Sequence, residues 1–137
     1  MQFFTAETRR RRGFINKISG VILDACITVH KIMGPGLLES IYEQCLMKEI
    51  ELRTVMAINQ VPISLLYKGY ELSRELKVDI LVENEIILEL KSAEIMHPVY
   101  EAQLISYLKL TNKKLGFLVN FNVGVLKNGF KRYVNNF

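Results

Sequence analysis

Asp79, Glu89 and Lys91 interrupt a stretch of chain, Val78 to Lys91, that is otherwise almost pure Ile, Leu and Val around a polar turn at Glu83, Asn84 and Glu85. Apolar runs on both sides of such a turn predict a β-hairpin, and its parity decides what the charges mean. With the loop centred on Asn84, the pairs Val78–Leu90, Ile80–Leu88 and Val82–Ile86 form one apolar face. The other face then carries Lys77 opposite Lys91, Asp79 opposite Glu89, and Leu81 opposite Ile87. A slip of one residue would send the charges into the apolar face, which one-sided burial disfavours. The preferred register therefore brings two carboxylates together. Directly opposed like charges destabilise a sheet pair, so the arrangement calls for a divalent cation with the Lys91 ammonium beside it. The alternative is a solvated sheet face with scattered charges.

Carboxylate oxygens are hard ligands suited to Mg²⁺ or Mn²⁺, ions that keep several waters and share substrate phosphates. Such an ion lowers the pKa of bound water and stabilises an in-line displacement. Lys91 lies two residues beyond Glu89 on the same strand face, where an ammonium can orient the water or neutralise charge on a phosphorane.

Other elements must position this hairpin. Phe14, Ile18, Ile22, Ala25, Cys26, Val29 and Met33 recur at spacings of three and four, which predicts an amphipathic helix from Phe14 to about Met33. Gly34-Pro35-Gly36 breaks it. A second helix follows, with Leu38, Ile41, Tyr42, Cys45, Leu46 and Ile50 on its packing side, to about Arg53. Glu39 lies three residues before Tyr42 on the same helical side, either at the edge of the apolar stripe or in a polar pocket. Val55–Gln60 and Val61–Tyr67 read as strand, with Pro62 demoting it to a late start or a sheet edge. His97-Pro98 opens a third helix, with Pro in its first turn. On it Leu104, Ile105, Leu108 and Leu110 pack, and Gln103 and Tyr107 share a face. Leu115–Phe121 is a buried-strand run, Val125-Leu126 a brief strand, Lys127-Asn128-Gly129 a hairpin signal, and Phe130–Val134 a closing strand. A helix between the Ile86 and Leu115 strands implies a crossover and a parallel pair. The fold class is α/β, bordering on α+β: one mixed sheet flanked by helices, in a single domain over residues 14–137 preceded by a flexible basic arm over 1–13.

The chain has 137 residues, 50% hydrophobic, enough for one domain with a core. No apolar run approaches the ~20 residues that span a bilayer, and no apolar segment follows the early positive charges as in a secretory signal. The expected location is the cytoplasm, with Cys26 and Cys45 as buried small hydrophobes rather than a disulfide or zinc framework. Zinc is further disfavoured by the presence of only two histidines. The net charge of +4 is compatible with nucleic acid without requiring it. The Arg9–Arg12 run is either a phosphate contact or a solvated terminus. His30 and His97 read as structural or exposed, His97 also as a secondary phosphate contact, and Tyr42 as a packing residue. No Gly-rich phosphate loop, dinucleotide fingerprint or triad signature is present.

Taken in order, Asp79, Glu89-Leu90-Lys91, an earlier helix-borne carboxylate and a later Gln-x-x-x-Tyr helix resemble the PD-(D/E)XK nuclease superfamily. Within it, Gly36-Leu37-Leu38-Glu39-Ser40-Ile41-Tyr42 is similar to the signature of the GxxExxY family of small prokaryotic proteins, as are Gln60-Val61-Pro62, Glu101-Ala102-Gln103 and Asn120-Phe121. The resemblance runs from about Ile18 to Val134, with Val78 where the name-giving proline would stand. It implies Glu39, Asp79 and Glu89 as ligands of Mg²⁺ or Mn²⁺, Lys91 as the catalytic lysine, and Gln103 and Tyr107 as residues that position the metal-site groups or the nucleic-acid backbone. The activity implied is hydrolysis of nucleic acid, DNA in the first instance. Two alternatives stay open: a non-catalytic nucleic-acid-binding or protein-interaction module that keeps the fold, and a phosphoesterase for small substrates. A chain this short has little room for a separate substrate domain, so a homodimer or partner protein is an expected source of specificity.

Overall fold

The computed structural model describes residues 5–136. Helix α1 spans Ala6–Met33, α2 Glu39–Leu52, strand β1 Ala57–Tyr67, β2 Tyr70–Val82, β3 Ile86–Lys91, helix α3 Pro98–Thr111, β4 Leu115–Asn120 and β5 Phe130–Val134, with a 3₁₀ turn at Leu126–Gly129 before the last strand. The five strands form one sheet in the order β1-β2-β3-β4-β5, antiparallel throughout except for the β3–β4 pair, which is parallel across the α3 crossover. The architecture is the expected mixed sheet flanked by helices, of α+β type. Helices α1 and α2 pack on one face through Ile15, Ile18, Ile22, Tyr42, Leu46 and Ile50, against Ile80, Val82, Ile86, Leu88 and Leu90. Helix α3 packs on the other through Leu104, Tyr107 and Leu108, against Ile63, Val78, Ile87 and Leu118.

Three local readings are revised. The basic arm is helical from Ala6: Thr5 caps α1 by accepting the Thr8 N–H at 3.1 Å, and Glu7 sits in the first turn, where a carboxylate complements the helix dipole. Arginine favours helix, so the run Arg9–Arg12 extends α1; residues 1–4 lie outside the described part. The first core residue of α1 is Ile15, not Phe14, which is 46% exposed. Val125–Gly129 forms no strand or hairpin. Gly129 lies so close to the sheet that a Cβ there would stand 2.2 Å from the Asn120 carbonyl oxygen, and buried Leu126 pins the turn from the other side.

Pro62 is accommodated because β1 is an edge strand, paired only with β2. The hairpin register is as parity predicts for Ile80–Leu88, Leu81–Ile87 and Val82–Ile86, around the loop Glu83-Asn84-Glu85, whose first two residues are left-handed. The apolar face departs from prediction at one place. Val78 belongs to the α3 side while Ile80 and Val82 belong to the α1–α2 side, although residues two apart on a regular strand share a face. β2 therefore changes face around Asp79.

Candidate active site

That change of face interrupts the hairpin ladder. Regular pairing between β2 and β3 stops at Ile80–Leu88, and the next slot is Asp79 against Glu89, the pair expected from parity. Backbone no longer meets backbone there. The Asp79 N–H donates to Glu89 Oε1 at 3.2 Å, and the Leu90 N–H donates to Asp79 Oδ2 at 2.7 Å. The carboxylates stand in for the missing ladder acceptors and satisfy buried amides that would otherwise be orphaned. The expected Val78–Leu90 and Lys77–Lys91 pairs are replaced by this side-chain bridge.

Glu89 is only 5% exposed. Burial pushes its carboxyl up to about 8, and the neighbouring Asp79 charge adds to the rise, while the Asp79 amide and the Lys91 ammonium pull the other way. Asp79 is half-buried and is also raised, chiefly by burial, against the hydrogen bond from Leu90. Glu43 and Glu39 raise it further through their charges, and Lys91 lowers it. Two buried carboxyls in contact cannot both ionise cheaply in a low-dielectric site.

Lys91 ends β3, and its Nζ lies 4.5 Å from the centroid of the Tyr100 ring on α3, a cation–π contact that fixes the ammonium. On the same helix Gln103 Nε2 donates to the Tyr107 hydroxyl oxygen at 2.7 Å. Tyr107 is buried, and burial raises its hydroxyl, with the Glu89 and Asp79 charges contributing. Gln103 and Tyr107 thus form one unit beside the carboxylates. With an acceptor site on its oxygen filled, the Tyr107 O–H remains a donor.

Glu39 sits in the exposed first turn of α2. The sequence between the first two helices places it there. Gly34 and Gly36 adopt φ of 71° and 93°, a region open to glycine at little cost. The Tyr42 hydroxyl closes the loop, donating to the Gly34 carbonyl and accepting the Leu37 N–H. Tyr42 itself is fully buried and stacked on Phe121, with ring centroids 4.4 Å apart. Ser92, next to Lys91, donates to the Leu37 carbonyl and ties the loop to the end of β3. A cleft of about 370 Å³ lined by Leu37, Leu38, Glu39, Ser40 and Ser92 opens at this junction.

His97 caps α3, its Nδ1 accepting the Val99 N–H at 3.0 Å, and His30 Nε2 contacts the Val123 carbonyl. Burial pushes the Cys26 thiol upward, which makes it inert. His97, His30 and Cys26 are thus engaged in a helix cap, a loop contact and the core. Among the described residues no group of three His, Cys, Asp or Glu side chains forms a ready-made metal cage. What remains is a pair of hard oxygen donors, one of them protonated near neutral pH, with Lys91 and Tyr107 alongside.

A family model described as the PD-(D/E)XK nuclease superfamily matches residues 16–133. The chain belongs to the PD-(D/E)XK nuclease superfamily. Neither the curated proteins nor the solved structures compared with the chain gave a match. PD-(D/E)XK nucleases generally use divalent metals, and their substrates are nucleic acids. The donor set fits such an ion: two carboxylates on adjacent strands favour a hard, oxygen-seeking cation over zinc. A cation between them would also relieve the mutual repulsion that raises Glu89. No helix among the described residues is long and apolar enough to cross a membrane.

Sequence reasoning passed over Glu43 and Tyr100 and gave Gln60 no role, and the structure brings all three to the site. Glu43 follows Glu39 by one turn of α2, and its charge reaches Asp79 more strongly than that of Glu39. Gln60 donates to Glu43 at 2.7 Å. Tyr100 holds Lys91. A helical signal for Tyr100 existed, since Tyr100, Gln103 and Tyr107 fall at spacings of three and four on one face.

Proposed function

We propose that this PD-(D/E)XK protein is a nuclease that hydrolyses phosphodiester bonds of nucleic acid, DNA in the first instance, with Mg²⁺ or Mn²⁺ held by Asp79 and Glu89 and supplemented by Glu39. The observation that carries the reading is the buried carboxylate pair: Glu89, raised to about 8 beside Asp79 at a broken ladder, with Lys91 two residues on. Like charges directly opposed destabilise a sheet pair, and a cation between these two carboxylates would offset that repulsion. On the sequence motif Gly36–Tyr42 we also propose membership of the GxxExxY family.

A bound divalent ion supplies positive charge and a lowered pKa for water at this position. The protein's own groups do the rest. One oxygen of each carboxylate is fixed by a backbone amide, so the remaining oxygens are pre-aimed. Lys91, kept in place by Tyr100, orients the attacking water and offsets charge that builds on the phosphoryl oxygens. Tyr107, its oxygen engaged by Gln103, donates its O–H to a site carboxylate or to the phosphate. Water gives up a proton to solvent and adds to phosphorus as the P–O ester bond to the leaving sugar oxygen breaks, and solvent supplies a proton to that oxygen. Arg11, Arg12, Lys113 and Lys114 line a cavity of about 420 Å³ at the opposite end of β3 together with Glu7 and Glu85, the latter paired with Arg11, and the positive balance that remains suits a polyanion.

The test is cleavage of plasmid and linear DNA with Mg²⁺ or Mn²⁺, comparing the wild type with Asp79→Ala and Lys91→Ala, alongside calorimetric titration of the cation. Cleavage that both variants lose is the expected result. A wild type that neither cuts nor binds a divalent ion would sink the enzyme reading and leave a binding module that keeps the fold.

A further inference from the structure

Gln60 is, among the described residues, the one non-glycine inside a strand that adopts a left-handed backbone, at φ 52°. Its place in the register is opposite Asp79: β1–β2 pairing runs Asn59–Ile80 and then Val61–Val78, with the Gln60–Asp79 pair missing between them. Both strands change face at this point. Ala57 packs with the α1–α2 cluster, as do Ile80 and Val82, whereas Val61, Ile63, Leu76 and Val78 pack with the α3 cluster. Conformations of this kind in a residue with a Cβ persist only where surrounding contacts impose them.

The side chain that spans the kink is Glu43. Its Oε1 accepts from Gln60 Nε2 at 2.7 Å and its Oε2 from Asn59 Nδ2 at 3.1 Å, so a single carboxylate on α2 grips two consecutive residues at the kink. From this geometry we infer that Glu43 is a positioning residue: through Asn59 and Gln60 it locks the left-handed kink of β1 that turns β2 at Asp79 and aims that carboxylate at the Leu90 amide and Glu89. The kink is what lets Asp79 interact with groups from both sides of the sheet, with Glu39 and Glu43 on α2 and with Lys91 on β3. Glu43 is not needed as a ligand for this role. Its consequence for cation affinity rests on the nuclease reading above; its structural half does not.

The experiment separates the two. In metal-free protein, exchange of the Leu90 amide, which donates to Asp79 at 2.7 Å, is followed by NMR relative to the Leu88 amide on the same strand, and Mn²⁺ affinity is titrated in parallel. Glu43→Ala is expected to speed Leu90 exchange about tenfold relative to Leu88 and to weaken Mn²⁺ about tenfold, the range in which outer groups tune a metal site. Gln60→Gly, which takes a positive φ freely, should restore most of both losses when combined with Glu43→Ala. Unchanged Leu90 exchange in Glu43→Ala, or failure of Gly at position 60 to restore it, overturns the inference. Should Glu43→Ala not fold alone, the comparison runs between Gln60→Gly and the double variant. Agreement within about twofold is expected there, and a tenfold gap overturns the proposal. A wild type that binds no Mn²⁺ sinks the nuclease reading, while the Leu90 amide still decides the role of Glu43.

Discussion

Strand β3 presents two faces that obey different rules. Toward α1 and α2 it shows Ile86, Leu88 and Leu90, all essentially buried and surrounded by aliphatic side chains. Toward α3 it shows Ile87, then Glu89, then Lys91. The first face gains stability from every methylene it removes from water. The second buries a carboxylate that burial alone opposes and a second carboxylate makes worse. One strand thus carries both the core and the site, and the rigidity of the first holds the second in an arrangement it would not adopt by itself. That division is the usual sign of function maintained at a cost in stability.

Substitutions on the two faces should therefore separate activity from stability. The largest effect is expected from Glu89→Gln, which keeps shape but removes the charge: DNA cleavage should fall by about 10³-fold, the scale on which single preorganised groups act in catalysis, with a circular-dichroism spectrum like that of the wild type. Leu88→Ala on the opposite face should do the reverse. Denaturant unfolding should show a loss of about 2–5 kcal/mol, while Mn²⁺ affinity in the folded fraction stays close to that of the wild type.

The third contrast is in pH. Glu89 has a folded pKa of about 8 against an ordinary 4.5, so between these values the folded state holds a proton that the unfolded state has released. Stability of the metal-free protein should fall as pH rises through this window, by a total on the order of a few kcal/mol, and Glu89→Gln should flatten the slope and gain in melting temperature at pH 8. Divalent-cation affinity should move the opposite way, rising about tenfold per unit from pH 6 to 8 as the proton competes less. A melting temperature in wild type and Glu89→Gln that varies identically with pH would remove the buried-proton account.

Smaller effects belong to the groups around the pair. Tyr107→Phe keeps the packing of α3 and deletes the donor, so cleavage should slow about tenfold with a change in unfolding free energy below ~1 kcal/mol, in line with the net worth of one hydrogen bond. Smallest of all, Arg10→Ala at the exposed start of α1 should leave turnover on short oligonucleotides unchanged and reduce the slope of log affinity against log salt by about one, if that helix touches a phosphate. An unaltered slope would confine binding to the carboxylate end.

Alternation of Ile, Leu and Val was enough to read the β2–β3 register and to pair Asp79 with Glu89, because a one-residue slip would expose an entire apolar face. The parallel β3–β4 pair followed from the helix between them, and of the two readings of Pro62, a late start or an edge, the edge holds. The change of face at Gln60 could not be read that way: glutamine has no special taste for a left-handed backbone, and the side chain that spans the kink, Glu43, comes from α2. Ile15 displaced Phe14 because neighbouring apolar residues on a helix fit the same pattern about equally well, and packing chooses between them. The helical start of α1 depended on a cap at Thr5 that was masked by the run of charge after it. Glu43 was overlooked because motif and periodicity both directed attention to Glu39, one turn earlier.

Asn120, 3% exposed, closes the crossover. Its side chain accepts the Ala93 N–H at 3.1 Å, donates to the Ala93 carbonyl at 2.9 Å, and also accepts the Asn122 N–H at 3.1 Å. The clasp joins the two ends of the segment that carries Tyr100, Gln103 and Tyr107. Bringing together ends 27 positions apart costs roughly 3 kcal/mol of chain entropy, which the Asn120 hydrogen bonds help to offset. The crossover is thus a strap buckled at both ends, and the residue that ends β4 limits how far Tyr100, Gln103 and Tyr107 can drift from the carboxylates.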